Sequence, residues 1–305
     1  MKASTIIASA AVLLTIASCG NNATKSSADA AQTAAATTTA QPAPEGVTTR
    51  KIDTLTLITL KDNDGEKRMP NKLFYGKADS AKVEKLSPEG SVASSISCFV
   101  VETQGKRILF DAGNGAAHGG KMLERLRAAG IAPEQIDYIF VTHFHGDHIG
   151  GLETDGKPLF ANAQLYVPDA EYAAWAAMSN DGGKEAVETV DTYGDRLHRF
   201  AYTDTLPLGV KAMAAPGHTP GHVVFHHPAA KILFTGDTLF RESIGRTDMP
   251  GGDYTWIMRS ILDKIMPLGD DVKIYPGHGD QSDLGHEALY NPFIVEVLNN
   301  EVRYE

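Results

Sequence analysis

The feature that most constrains this chain is a group of metal-binding side chains directly after a hydrophobic run. Residues 136–141 form a short, largely apolar run, which predicts a buried strand. His143, His145, Asp147 and His148 follow it within a single short stretch. Neutral imidazole and carboxylate are the ligands that borderline divalent metals prefer in proteins. The alternative, a polar loop that is rich in histidine by chance, does not explain so many ligand types beside a core strand, so the pattern predicts a metal site.

The spacing of these residues predicts that one strand end serves two metal ions. His143 and His145 are two positions apart, so on extended backbone their side chains project to the same side. Asp147 and His148 come later, where the chain turns into a helix, and can face a second ion.

This segment resembles the His-x-His-x-Asp-His motif of the metallo-β-lactamase superfamily. Further segments resemble that superfamily's other motifs, in its order, over most of residues 51–290. They are Phe110-Asp111-Ala112-Gly113, Pro216-Gly217-His218-Thr219-Pro220-Gly221-His222, Thr235-Gly236-Asp237 and Tyr275-Pro276-Gly277-His278-Gly279. The resemblance implies an α/β fold, an αββα sandwich in which two mixed sheets are flanked by helices, and a catalytic domain over residues 51–305.

The resemblance also implies a ligand set for two divalent ions, with zinc expected first and iron or manganese as alternatives. The first ion would be bound by His143, His145 and His218, and the second by Asp147, His148 and His278. Asp237 would bridge the two ions, which lie roughly 3.5–4 Å apart in two-metal hydrolases. Asp111 and His222 are expected to contact ligands without binding metal themselves.

Such a centre predicts hydrolysis of a small-molecule ester, thioester or lactone. Two dications that share a solvent molecule lower its pKa from 15.7 toward about 7, and the resulting hydroxide attacks the carbonyl. Asp147 is expected to orient this nucleophile. Asp237 occupies the bridging position, at which true β-lactamases of this fold have no aspartate. Antibiotic hydrolysis is therefore not expected. The alternatives are a mononuclear iron persulfide dioxygenase, a phosphotriester or phosphodiester hydrolase, and a binding protein with an inactive site.

The sequence gives conflicting indications about the substrate. Residues 236–253 resemble thioesterases of the glyoxalase II type, whereas residues 129–137 and 216–222 resemble lactonases and organophosphate hydrolases. Arg246 would either bind a substrate carboxylate or pair with Asp248 or Asp253. Residues 69–91 are polar and contain glycine and proline, so they form either a loop over the metal cleft or an insertion.

The N-terminal residues predict export and a lipid anchor. Lys2 and the apolar residues 6–16 are typical of a signal peptide, and Ile16-Ala17-Ser18-Cys19 resembles the bacterial lipobox, with Cys19 as the lipidated residue. We therefore predict a signal peptide over residues 1–19, a flexible tether over 20–50, and anchoring in the periplasm or at the outer membrane. Cys98 is the other cysteine and is expected to be buried.

The formal net charge of −10 argues against a nucleic-acid partner, because phosphate binding requires clustered Lys and Arg. The oligomeric state is left open by the sequence.

Overall fold

The computed structural model describes residues 44–71, 84–85 and 87–299. The predicted signal peptide, Cys19 and most of the predicted tether lie outside these residues, as does most of the interior of segment 69–91. Within the described part of the chain, no helix combines the length and the apolar character needed to cross a membrane.

The larger sheet is mixed, with antiparallel strands at one side and parallel strands at the other. Its strands, in spatial order, are β1 Val47–Ile52, β2 Leu55–Lys61, β5 Ser97–Thr103, β6 Lys106–Phe110, β7 Tyr138–Phe140, β10 Gln164–Pro168 and β11 Leu197–Phe200. The pairs β6–β7, β7–β10 and β10–β11 are parallel.

The smaller sheet has five strands, which in spatial order are β12 Lys211–Ala214, β13 Val223–His227, β14 Ile232–Gly236, β17 Lys273–Pro276 and β18 Ser282–Asp283. All its pairs are antiparallel except β14 with β17, which is parallel. Three short hairpins complete the strands: β3 Arg68–Pro70 with β4 Ser91–Ala93, β8 Glu153–Thr154 with β9 Lys157–Pro158, and β15 Leu239–Phe240 with β16 Ser243–Ile244. The β3–β4 pairing shows that segment 69–91 leaves and returns through a hairpin base.

Helices lie on the outer face of each sheet. They are α1 Met122–Ala128, α2 Gly146–Ile149, α3 Asp169–Ala176, α4 Asp181–Asp191, α5 Tyr254–Arg259, α6 Leu284–Tyr290 and α7 Pro292–Leu298. Helix α5 continues as a wider π-helical stretch over Ser260–Ile265.

Three buried clusters lie between four layers, which are helices, the larger sheet, the smaller sheet and helices. The side chains of β5 alternate between two of these clusters. Phe99 and Val101 pack against the smaller sheet, whereas Cys98 and Val100 face the opposite way, toward the helices. This is the two-residue period of a strand buried on both faces. The third cluster joins the outer face of the smaller sheet to α5, α6 and α7. The chain therefore folds as the predicted αββα sandwich, and Cys98 is buried as a free thiol.

The apolar runs 96–101 and 107–110 on either side of Gln104-Gly105 predict a hairpin, and β5 and β6 confirm it. Its turn, Gln104-Gly105, has positive φ at both positions, which fits the right-handed twist of the strands. The residue pattern over 185–197 predicts a single helix, and this prediction is wrong at its end, because α4 stops at Asp191 and Leu197 begins β11. The first strand begins at Val47, inside the segment predicted to be a tether, since pairing with β2 gives these residues backbone partners.

Candidate metal centre

The topology gathers the candidate ligands at one edge of the sandwich. Strands β6 and β7 are parallel, so Asp111 and the loop after Phe140 leave from the same edge of the larger sheet. Strands β14 and β17 are also parallel, which places Asp237 and His278 together at the end of the smaller sheet. His218 lies in the turn that joins β12 to β13. Ligands that are distant in sequence therefore meet because their strands end together.

Three imidazoles form the first cluster. His143 Nε2 lies 3.0 Å from His145 Nδ1, and His145 Nδ1 lies 2.9 Å from His218 Nε2. His143 and His218 are buried, while His145 is partly exposed at the mouth of the site. The candidate ligand nitrogens of these three rings lie within 4.8 Å of one another, close enough to bind one cation.

Asp147, His148 and His278 form the second cluster. His278 Nε2 lies 3.3 Å from Asp147 Oδ2, and His148 Nε2 lies 4.0 Å from Asp147 Oδ1. Helix α2 begins directly after His145, so Asp147 and His148 lie in its single turn. The His148 ring also packs on that of His143, with centroids 4.0 Å apart. The candidate ligand atoms of these three residues lie within 4.8 Å of one another, as do those of His143, His148 and Asp237.

Asp237 lies between the clusters. Its Oδ1 is 3.2 Å from His148 Nε2, and its Oδ2 is 3.1 Å from His278 Nε2 and 3.5 Å from His218 Nε2. One carboxylate thus reaches ligands of both clusters, which is the geometry expected of a bridge.

The outer nitrogens of most of these rings are held by hydrogen-bond partners. His148 Nδ1 lies 2.8 Å from Asp111 Oδ2, His218 Nδ1 lies 2.8 Å from the Arg246 carbonyl, and His278 Nδ1 lies 3.2 Å from the Ser94 carbonyl. These acceptors require a proton on Nδ1. The inner Nε2 of each neutral ring is then left with a lone pair for a metal.

Asp111 and Thr142 connect the larger sheet to the ligands. The backbone amide of Thr142 and its hydroxyl both donate to Asp111, each at 2.8 Å, and the hydroxyl lies 3.0 Å from His143 Nδ1. Asp111 has a φ of 56°, a left-handed conformation that aspartate tolerates better than most residues. Asp111 therefore contacts His148 directly and is linked to His143 through the Thr142 hydroxyl.

The electrostatics of the two clusters differ. Burial and the neighbouring histidines lower the pKa of His143 well below its usual range, and burial with His218 lowers the pKa of His145 to about 3. Burial also acts to lower the pKa of His278, but Asp237 and Asp147 outweigh it and raise that pKa to about 10. The first cluster is therefore neutral at pH 7, whereas the carboxylates of the second attract positive charge.

The residues fit a pair of metal ions. Among the described residues, His148 Nε2 and Asp237 Oδ1 are buried and, although 3.2 Å apart, form no hydrogen bond with each other or with another group. Buried polar atoms of this kind are costly unless something binds them. Gly277 leaves the space beside them, since a Cβ there would come within 2.5 Å of Asp237 Oδ1 and 2.6 Å of His148 Cε1. Borderline ligands, unpaired acceptors and local space all match divalent cations.

The other predicted residues take the following positions. The His222 ring accepts from the Asp237 amide at 3.0 Å and lies 3.1 Å from the Thr238 hydroxyl. It also packs beside the first cluster, with its centroid 4.8 Å from that of His143. The Arg246 guanidinium donates to both carboxylate oxygens of Asp248 at 2.8 Å, which is the ion pair that the sequence offered as an alternative to substrate binding.

Sequence reasoning missed three residues that contact the ligands or their loops, namely Thr142, Glu171 and Trp175. Glu171 is fully buried and bonds to the loops on either side of the first cluster. The ring of Trp175 meets His145 edge to face, with centroids 5.5 Å apart. Of the three, only Thr142 could have been found from the sequence, because it directly precedes His143.

The fold and the site are those of a known class. Residues 92–278 match the family described as the metallo-beta-lactamase superfamily, and the chain belongs to it. It is a metal-dependent hydrolase of that superfamily.

Relatives of the chain include hydrolases and a structure that contains two irons. The probable metallo-hydrolase YqgX of Bacillus subtilis is 29% identical over 188 residues, which is 61% of this chain and 86% of that protein. The hydroxyacylglutathione hydrolase GloC of Haemophilus influenzae is 51% identical over 79 residues, covering 26% of this chain and 37% of GloC. The structure of TTHA1623 in a di-iron-bound form is 29% identical, with a TM-score of 0.52, and covers 65% of this chain and 95% of that one.

Proposed function

We propose that this protein hydrolyses a small-molecule carboxylic ester, thioester or lactone, using two divalent metal ions, with zinc as the first candidate. The observation that carries the proposal is the position of Asp237, whose two oxygens face ligands of both clusters. The strong local identity to a hydroxyacylglutathione hydrolase supports an acyl substrate, and within that class a thioester.

The proposed ligands are the seven residues of the two clusters and the bridge. His143, His145 and His218 would hold the first ion, Asp147, His148 and His278 the second, and Asp237 both. When bound, such a pair of ions lowers the pKa of water and polarises the substrate's carbonyl oxygen.

The chain's own groups position the reactants. Asp147 is partly exposed at the mouth of the site, where its carboxylate can accept a hydrogen bond from the attacking water. Burial raises the pKa of Asp147, but the hydrogen bond from His278 and the charges of His148 and His278 outweigh it, so that pKa lies below its ordinary range. Asp147 is therefore ionised at pH 7 and acts as an acceptor that orients the water.

A substrate panel with metal quantification tests the proposal. Thioesters, lactones and aryl esters should be hydrolysed by protein that contains two metals per chain, and phosphotriesters and β-lactams should not. His145→Ala should lose both activity and metal while remaining folded, because the core does not depend on that partly exposed ring. His198→Ala is the matched control, since His198 bonds to Gln164 and stacks on Tyr166 away from the clusters. One iron per chain with oxygen consumption on a persulfide would instead show a dioxygenase.

We further propose that the chain is exported and anchored through a lipid on Cys19, in the periplasm or at the outer membrane. The proposal rests on the charged and apolar pattern of residues 1–19, which ends at a lipobox-like cysteine. Labelled palmitate should be incorporated into the wild-type chain in bacteria and not into Cys19→Ser. Equal labelling of both would contradict the anchor.

A further inference from the structure

Glu171, near the start of α3, is a buried carboxylate whose oxygens are fully used by hydrogen bonds. Its side chain has no solvent exposure. Oε1 accepts from the Phe144 amide at 3.1 Å and from Trp175 Nε1 at 2.7 Å. Oε2 accepts from the Thr219 hydroxyl and from the Gly221 amide, both at 2.9 Å. A carboxylate that is removed from water in this way is tolerated because every bond to it is charge-assisted.

The donors to Glu171 come from the loops that carry the first cluster. Phe144 lies between His143 and His145, and Thr219 directly follows His218. Gly221 follows in the same loop as Thr219. The fourth donor, Trp175, lies on α3 itself and contacts the ring of His145. A single carboxylate therefore ties together the two loops that supply all three imidazoles of the first cluster.

The loop that carries His218, Thr219 and Gly221 lies close to α3. A Cβ on Gly221 would lie only 2.1 Å from the Glu171 amide nitrogen, so the loop packs directly on the helix backbone. This packing leaves the loop little room to adjust if the bonds to the carboxylate are lost.

The second cluster is supported by a different buried carboxylate. Asp111 accepts directly from His148 Nδ1, whereas its hydrogen-bonded link to the first cluster, among the residues described, runs through Thr142. Among the hydrogen bonds of the described residues, those of Glu171 involve none of Asp147, His148 and His278.

We propose that Glu171 is a positioning residue for the first metal site alone, so that the two sites can be loosened separately. The inference rests on the proposed two-metal centre. It predicts that a substitution of Glu171 lowers the affinity of the first site for metal and leaves the affinity of the second site unchanged.

Glu171→Gln is the sharpest substitution, because it keeps the shape and removes one acceptor. In either orientation of the glutamine side chain, its NH₂ group faces two of the four donors that bond to Glu171: Phe144 with Trp175, or Thr219 with Gly221. The Thr219 hydroxyl can rotate and accept, but a backbone or indole N–H cannot. Buried backbone or indole donors are therefore left without a partner. Loss of partners that orient metal ligands typically lowers metal affinity about 10–100-fold, and we expect that loss at the first site.

The test is a competitive chelator titration of full-length apo-protein with Zn²⁺, repeated with Co²⁺ to follow the absorption of each site. Glu287→Gln is the matched control. Glu287 is also fully buried and accepts from the Glu242 amide at 2.8 Å and from Asn291 Nδ2 at 2.9 Å, away from the first cluster's loops. Thr219→Val, which removes one bond to Glu171 and keeps the carboxylate, serves if Glu171→Gln does not fold.

Support would be two tight sites in the wild type and in Glu287→Gln, with one tight and one weakened site in Glu171→Gln and a smaller change of the same kind in Thr219→Val. Unchanged affinities, or equal weakening of both sites, would overturn the inference while the two-metal centre stands. A wild-type chain that binds no metal would overturn the proposed function and the inference together.

Discussion

Substitution of Gly277 by alanine should disrupt the metal centre by adding a single methyl group. The new Cβ would lie 2.5 Å from Asp237 Oδ1 and 2.6 Å from His148 Cε1, whereas ordinary contacts begin near 3.4 Å. The backbone cannot retreat easily, because the Gly277 amide donates to Gly236 and its carbonyl accepts from Ser97, each at 2.9 Å. The Asp237 carboxylate must therefore move by about 0.9 Å.

This displacement is large for a metal ligand but small for the fold. Metal–ligand distances hold to about ±0.2 Å, so a shift several times larger removes Asp237 from the bridge. We expect a loss of about 100-fold or more in activity, the scale of a misplacement of about 1 Å. Overpacking in a core costs about 1–3 kcal/mol, within the roughly 5–15 kcal/mol that stabilises a typical domain, so the variant should fold.

The assay combines metal content after dialysis, turnover of the best substrate of the panel, and thermal unfolding. Gly146→Ala is the matched control, because Gly146 lies in the ligand loop but has nothing within 4 Å of the added Cβ. It should retain two metals and wild-type turnover. Two tightly bound metals and full turnover in Gly277→Ala would refute the position assigned to Asp237.

Two further substitutions and one treatment test the fold. Asp253→Ala should lower the free energy of unfolding by about 0.5–2 kcal/mol, because the Asp253 side chain caps α5 by accepting from the Trp256 amide, and urea denaturation measures this. Phe234→Ala should lower the free energy of unfolding by about 3–5 kcal/mol in the same assay, because the Phe234 ring stacks on the Phe110 ring between the two sheets, with centroids 3.9 Å apart. Removal of metal by chelation should lower the thermal midpoint of the wild type, because the ions bind the folded state, and restored zinc should reverse the shift.

The ligand positions could be predicted from sequence because each sits in a short local pattern. A strand followed by His143-Phe144-His145 places two imidazoles on one side, whatever the rest of the chain does. The grouping with His218 and Asp237 required the superfamily resemblance, since nothing local in either segment indicates which strands end at the same edge.

Glu171 could not be predicted, because its role depends on loops that are distant in sequence. In the chain it reads as an ordinary acidic residue in the first turn of a helix. Its burial arises only when the loops of Phe144 and Thr219 fold onto α3. Strand β11 was missed for a similar reason, since Leu197–Phe200 becomes a strand by pairing with β10.

The most direct test of the central claim is anomalous diffraction at the zinc edge from crystals of the zinc-loaded protein. The account predicts two peaks roughly 3.5–4 Å apart. One should lie among His143, His145 and His218 and the other among Asp147, His148 and His278, with one Asp237 oxygen about 2.0–2.2 Å from each. A single peak, or peaks that Asp237 does not reach, would contradict it.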